Sequence, residues 1–118
     1  MPSEEKTITN EIEKKVEDDR KRNILIFQLD SQSEKFKKAD IAKNVKLEAL
    51  LYHDLILFFI DLDNKQAYIW EGKKTKPRQR FLSAQLAPKI RDQYAIDSSI
   101  TAVDDGNETI AFKNFLIS

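Results

Sequence analysis

Apolar residues are spread unevenly along this chain, and the densest run is Leu55 to Ile60, six in succession. A strand with one wet face alternates apolar and polar positions, whereas a strand covered on both faces does not. The β-branched and aromatic content of the run favours strand over helix. Asp61-Leu62-Asp63-Asn64 then has turn chemistry, and Gln66 to Trp70 reads as a second strand, returning antiparallel through a short hairpin and ended by Gly72. The pattern predicts a central strand that needs helices over both of its faces.

The rest of the chain can supply them. Asn23 to Leu29 reads as a strand, Asp30 to Glu34 as a turn, and Lys35 to Ile41, with Phe36, Ala39 and Ile41 apolar, as a weaker partner strand. Ala42 to Tyr52 carries Val45, Leu47, Leu50 and Leu51 and reads as a short helical or irregular crossover. Pro77 suits the first turn of a helix, with Thr75 as its expected cap, and helical spacing continues to Tyr94. At about 100° per residue, Gln79, Ser83, Leu86, Ala87, Ile90 and Tyr94 share one face, which should meet the sheet. Phe81, Gln85, Pro88 and Asp92 fall opposite, with Lys89 beside them. Pro88 removes a backbone hydrogen bond and crowds the Ala84 carbonyl, a cost of ~3 kcal/mol, so it should kink or shorten the helix. Ser99 to Val103 reads as a strand, Asp104-Asp105-Gly106-Asn107 as a turn, and Thr109 to Ile117 as a closing helix.

Residues 1–22 are polar and densely charged, with Ile8, Ile12 and Val16 at intervals of four. Thr9 or Asn10 could cap a helix there, and Glu11 and Glu13 suit its first turn. Three apolar residues do not hold such a helix alone. The segment is either a frayed extension or a helix that docks on something.

Composition narrows the classes. A chain of 118 residues suits one domain with one core. Charged residues reach 34%, yet the net charge is zero, which argues against a dedicated nucleic-acid binder. The absence of cysteine excludes disulfides and thiol chemistry. No apolar run approaches the ~20 residues of a membrane span, and the polar, acidic start does not read as a signal peptide, so a cytoplasmic protein is expected. There is no Gly-rich phosphate loop and no nucleophile motif, so an enzyme is not expected.

In this order and spacing the elements resemble a gelsolin/villin-type repeat. The features that carry the resemblance are Asp54 before the apolar strand, Trp70-Glu71-Gly72 at the end of the next, and Ser83 and Ala87 as small residues of the long helix. Val103-Asp104-Asp105-Gly106-Asn107-Glu108 and Phe112 complete it. The resemblance covers residues 23–118, leaves 1–22 as a charged extension, and is nearer to the single-repeat gelsolin-like proteins of archaea than to multi-repeat animal gelsolins. It implies an α+β fold: a mixed five-stranded sheet between one long and one short helix. It also implies actin binding through the outer face of the long helix, here Phe81, Gln85, Pro88, Lys89 and Asp92, with severing, capping or sequestering as outcomes. One copy of one site cannot easily bridge two actin subunits, so sequestering or capping is expected. The rival reading is a gelsolin-fold adaptor that binds other proteins and no actin. For Phe81 itself the alternatives are cover by the N-terminal segment or a tolerated surface aromatic.

The resemblance further implies a Ca²⁺ site. Asp54 matches its strand carboxylate, His53 would supply the preceding carbonyl, and the helix position is Gln79 where the family has Glu. Ca²⁺ takes several hard oxygen ligands, so the lost carboxylate implies weak or absent Ca²⁺ control. The plain alternative is that Asp54 ends a strand and Gln79 hydrogen-bonds to it. Lys73, Lys74, Lys76, Arg78 and Arg80 crowd the start of the long helix, where the helix dipole disfavours cations. They are either a solvated face or a site for phosphoinositides or an anionic membrane surface, a use the family also makes of basic segments. His53 has no catalytic or metal partner in motif spacing. Asp61, Asp63 and Asn64 lack the glycine and closing Glu of an EF-hand and read as a turn.

Overall fold

The run at the centre of the sequence is also the centre of the sheet. In the computed structural model, which describes residues 22–41 and 45–118, Ile56–Asp61 (β3) lies third of five strands. The others are Ile24–Asp30 (β1), Lys35–Lys38 (β2), Gln66–Glu71 (β4) and Ser99–Asp104 (β5), in the order β2-β1-β3-β4-β5. All neighbours are antiparallel except β4 and β5, which are parallel and joined by the long helix Pro77–Tyr94 (α1). A parallel pair needs such a crossover. A second helix, Ile110–Ile117 (α2), closes the chain.

Every residue of β3 is buried, and alternation divides them between two cores. Leu57 and Phe59 point to one face, where Tyr68, Trp70 and Val103 meet Phe112 and Phe115 of α2. Ile56, Phe58 and Ile60 point to the other, where Phe27, Ala67 and Ile69 meet Ala87 of α1. Leu57 is 3% and Ile60 0% exposed, as two-sided cover requires. On the α2 face the rings of Phe59, Tyr68, Phe112 and Phe115 lie 5.1 to 6.0 Å apart. On the α1 face Ser83 and Ala87 are fully buried, and small side chains there let the helix backbone lie close to the strands.

Three expectations are corrected. The partner strand ends at Lys38 rather than Ile41, although Ala39 N still donates to the Ile26 carbonyl at 2.8 Å. Thr75 does not cap α1: Lys76 is the cap residue, and its N–H donates to Gln79 Oε1 at 3.0 Å. Thr75 is instead buried, its hydroxyl donating to the Gly72 carbonyl at 2.6 Å. Pro88 does not shorten α1, which continues to Tyr94. The contacts of Ser83, Ala87, Leu86 and Ile90 with the sheet side span Pro88, and burial of that face offsets one lost hydrogen bond. The described part of the crossover between β2 and β3 holds a short 3-10 turn, Leu47–Leu50, in keeping with the short helical or irregular stretch expected there. The expected helix through Ile8, Ile12 and Val16 lies outside the described residues.

Candidate functional site

Helix α1 presents two unlike faces. The inner face is fixed by Ser83 and Ala87, with Leu86 and Ile90 partly buried against the core. On the outer face Phe81 is 61% exposed, Gln85, Lys89 and Asp92 are exposed, and Pro88 is partly buried. Asp92 Oδ1 accepts from Arg91 Nε at 3.1 Å, and the Asp92 side chain stays exposed. The five residues expected on this face are therefore brought together along the outward side of one helix, around a single uncovered aromatic ring. The sheet side holds the helix rigidly, so the ring is displayed at little conformational cost.

Below the start of α1 the backbone is tightly packed. A Cβ on Gly72 would lie 2.2 Å from the His53 carbonyl oxygen and 2.7 Å from that of Leu55, so only glycine fits. Gly72 N donates to Leu55 O at 2.9 Å, and Lys74 N to His53 O at 2.8 Å. The carbonyl expected to face an ion is thus already an acceptor. Gln79 Oε1 likewise accepts from Lys76 N, and the Asp54 side chain is exposed. Among the described residues no group of three or more His, Asp or Glu side chains converges as a metal site needs. At the expected Ca²⁺ position the His53 carbonyl and Gln79 Oε1 thus each accept a backbone N–H, and the Asp54 side chain is exposed.

His53 does have a partner, remote in sequence: its Nδ1 lies 2.5 Å from Asp105 Oδ2, which also accepts from Lys73 N at 2.9 Å. Burial pushes the Asp105 carboxyl up, but the Lys73 N–H and His53 outweigh it and hold the pKa below the ordinary value. The turn Asp104–Asn107 is thereby fastened to the start of the basic run.

The basic run is divided. Arg78 forms a two-pronged pair with Glu34, Nε to Oε2 at 2.7 Å and Nη2 to Oε1 at 2.9 Å, which lowers the Glu34 pKa and raises that of Arg78. Glu34 holds a left-handed φ of 57° at the end of its turn. Arg80 turns inward, Nε donating to Thr75 Oγ1 at 3.1 Å. Lys73, Lys74 and Lys76 stay exposed. Nothing near Arg78 in the sequence signals Glu34, 44 positions away, so the run looks more uniform in one dimension than it is.

Two further carboxylates sit at this end of the sheet. Glu108 Oε2 accepts from Trp70 Nε1 and from Gly106 N, both at 3.1 Å. Glu71 lies opposite Asp104 in the β4–β5 register, and burial first, then Asp104, raises its pKa. All five residues lie within the two sequence motifs, but their pairings are not legible there.

A mixed five-stranded sheet with one long and one short helix on opposite faces is the architecture of gelsolin-like domains. No known family model matches the chain, and no curated protein sequence does. Solved structures do match. The ProGel protein of Thorarchaeota, solved in complex with rabbit actin, superposes with a TM-score of 0.64 at 25% identity, covering 79% of this chain and 98% of that one. The Thorarchaeota protein 2DGel3, also solved with rabbit actin, gives 0.61 at 15% identity, over 79% of this chain. This chain spans less than half of 2DGel3, 45%. The fold is gelsolin-like. Among the described residues no helix is long and apolar enough to cross a membrane.

Proposed function

We propose that this chain binds actin through the outer face of α1, with Phe81 as the apolar anchor and Gln85, Pro88, Lys89 and Asp92 around it. The observation that carries the reading is Phe81, an aromatic ring 61% exposed on a helix whose other face is locked to the sheet. The likeness to a single archaeal domain solved with actin supports it. A single face of this size engages one actin subunit, so the outcome is sequestering or capping rather than severing. Ca²⁺ control is weak or absent, because Gln79 brings no carboxylate and its Oε1, like the His53 carbonyl, already accepts a backbone N–H, which leaves Asp54 as the one carboxylate of the expected set. The role is binding, with no catalytic step. Lys73, Lys74 and Lys76 add attraction for phosphoinositides or another anionic membrane surface.

Burying a Phe81-sized side chain in an apolar cleft stabilises a complex by ~1.5–3 kcal/mol, roughly ten- to a hundredfold in affinity. Phe81→Ala should therefore weaken actin binding at least about tenfold while hardly moving the melting temperature. A ring covered by its own chain would instead lose stability on truncation. If the variant melts and binds as the parent does, the reading fails, and a gelsolin-fold adaptor for other proteins takes its place.

A further inference from the structure

The two edges of the sheet are guarded unequally. β2 has four residues, and Lys35, Lys37 and Lys38 among them deter strand addition. β5 runs for six residues, Ser99–Asp104, without lysine, arginine or proline, and Ser99, Thr101 and Ala102 are exposed. Helix α1 packs over β2, β3 and β4. Ala102 lies beside Ile69 of the α1 core in register and is still exposed, so the helix does not cover β5 there. Successive residues of a strand direct their backbone groups to opposite sides. Ser99 N donates to Lys65 O at 3.1 Å and Asp105 N to Glu71 O at 2.9 Å, so the odd-numbered residues serve β4. Ile100, Ala102 and Asp104 turn theirs outward, and the Asp104 carbonyl accepts from Asn107 N at 2.9 Å. Among the described residues nothing bonds the N–H and C=O of Ile100 and Ala102 across this edge.

We propose that the β5 edge pairs with β5 of a second copy of this chain, antiparallel and centred on Thr101. In that register Ile100 of each copy faces Ala102 of the other, and each such pair exchanges both of its hydrogen bonds, so every outward group of these residues is used. Moving the centre to Ala102 would set Ile100 against Asp104, whose carbonyl is already taken. The copy is a better occupant than a flexible peptide, because its β5 is already extended and held by β4 and loses little conformational entropy on pairing. A copy's β2 is a poorer occupant, being short and lysine-guarded. A two-fold axis along the sheet normal relates the paired strands, which makes the contact isologous. Both α1 helices then stand on one side of the joined sheet, over strands away from the contact, and each Phe81 stays exposed. One strand pair buries less than the ~1,200 Å² of a standard interface, so the dimer is weak and fills at high protein concentration.

The chain has no cysteine, so one introduced thiol per copy reports the contact. Across the axis the two Thr101 residues form a non-hydrogen-bonded pair with Cα atoms about 4.5 Å apart, within the span of a disulfide. In the full chain, Thr101→Cys should form disulfide-linked dimers under mild oxidation at least about tenfold faster than Lys38→Cys on the other edge, at equal concentration. Adding Ala102→Lys to Thr101→Cys should remove that advantage and leave the melting temperature in place. In the parent chain, amide exchange at Ile100 and Ala102 should slow about threefold as the concentration rises from micromolar to millimolar, with Thr101 and Val103, which face β4, unchanged. Equal crosslinking at the two edges overturns the proposal. Exchange at Ile100 and Ala102 that does not depend on concentration also overturns it and assigns the edge to a different partner.

Discussion

Trp70 and Glu108, 38 positions apart, are joined by a hydrogen bond from the indole N–H to the carboxylate, 3.1 Å long. Trp70 is 1% exposed at the end of β4, and Glu108 stands just before α2. The bond ties the sheet to the helix that covers it.

The first prediction follows from that burial. Glu108→Ala leaves the indole N–H without its acceptor, at ~1–3 kcal/mol. Glu108→Gln retains an acceptor and should lose less. Urea unfolding of the two variants measures the difference. Equal midpoints for Glu108→Ala and the parent would show that the bond contributes nothing.

Carboxylates also set the response to acid. Burial pushes Glu108 up, but the bonds from Trp70 and Gly106 prevail and hold its pKa below 4.5. Asp30, bonded by Ser33 and Lys37, is lowered to about 2. Groups lowered in this way stabilise the fold above their unfolded pKa, and that contribution disappears as pH falls through the folded value. Glu71 works in the opposite sense: its pKa is raised above 4.5, first by burial and then by Asp104, so its contribution is full below 4.5 and lost as pH rises through the raised value. Glu71→Gln should therefore raise the melting temperature at pH 7, and the gain should shrink as the pH falls below 4.5. A gain that is constant with pH would place its origin outside this ionisation.

Gly72 is held by the backbone of residues 53–55. Gly72→Ala sets a Cβ against the His53 carbonyl, where neither atom belongs to a flexible side chain. The loss should be at least ~2 kcal/mol, toward the upper part of the overpacking range. Calorimetric melting of the variant tests this, and an unchanged midpoint would mean that residues 53–55 move aside freely.

The three exposed lysines offer a test of membrane attraction. Replacing Lys73, Lys74 and Lys76 by Ala should reduce sedimentation with phosphoinositide vesicles, and salt should reduce it for the parent, since exposed charges are screened over ~8 Å at physiological ionic strength. Arg78→Ala should matter less, because its guanidinium is held by Glu34. Identical sedimentation of parent and triple variant would reduce the run to a solvated face.

Much of this fold was written locally. Leu55 to Ile60 specified a strand covered twice, because unbroken apolar character leaves no face for water. Pro77 and the spacing of Ser83 and Ala87 set the start and inner face of the long helix, and the same spacing put Phe81 outside. What the sequence left open depends on groups distant along the chain. Whether Gln79 faces an ion or caps its own helix is a matter of one rotamer. Arg78 meets Glu34 and His53 meets Asp105 only because turns from different parts of the chain arrive at the same end of the sheet. Hydrophobic periodicity reports burial, which every residue of an element shares with its neighbours. Polar pairing depends on distances of about 3 Å between single atoms, and only the assembled sheet and helices fix those.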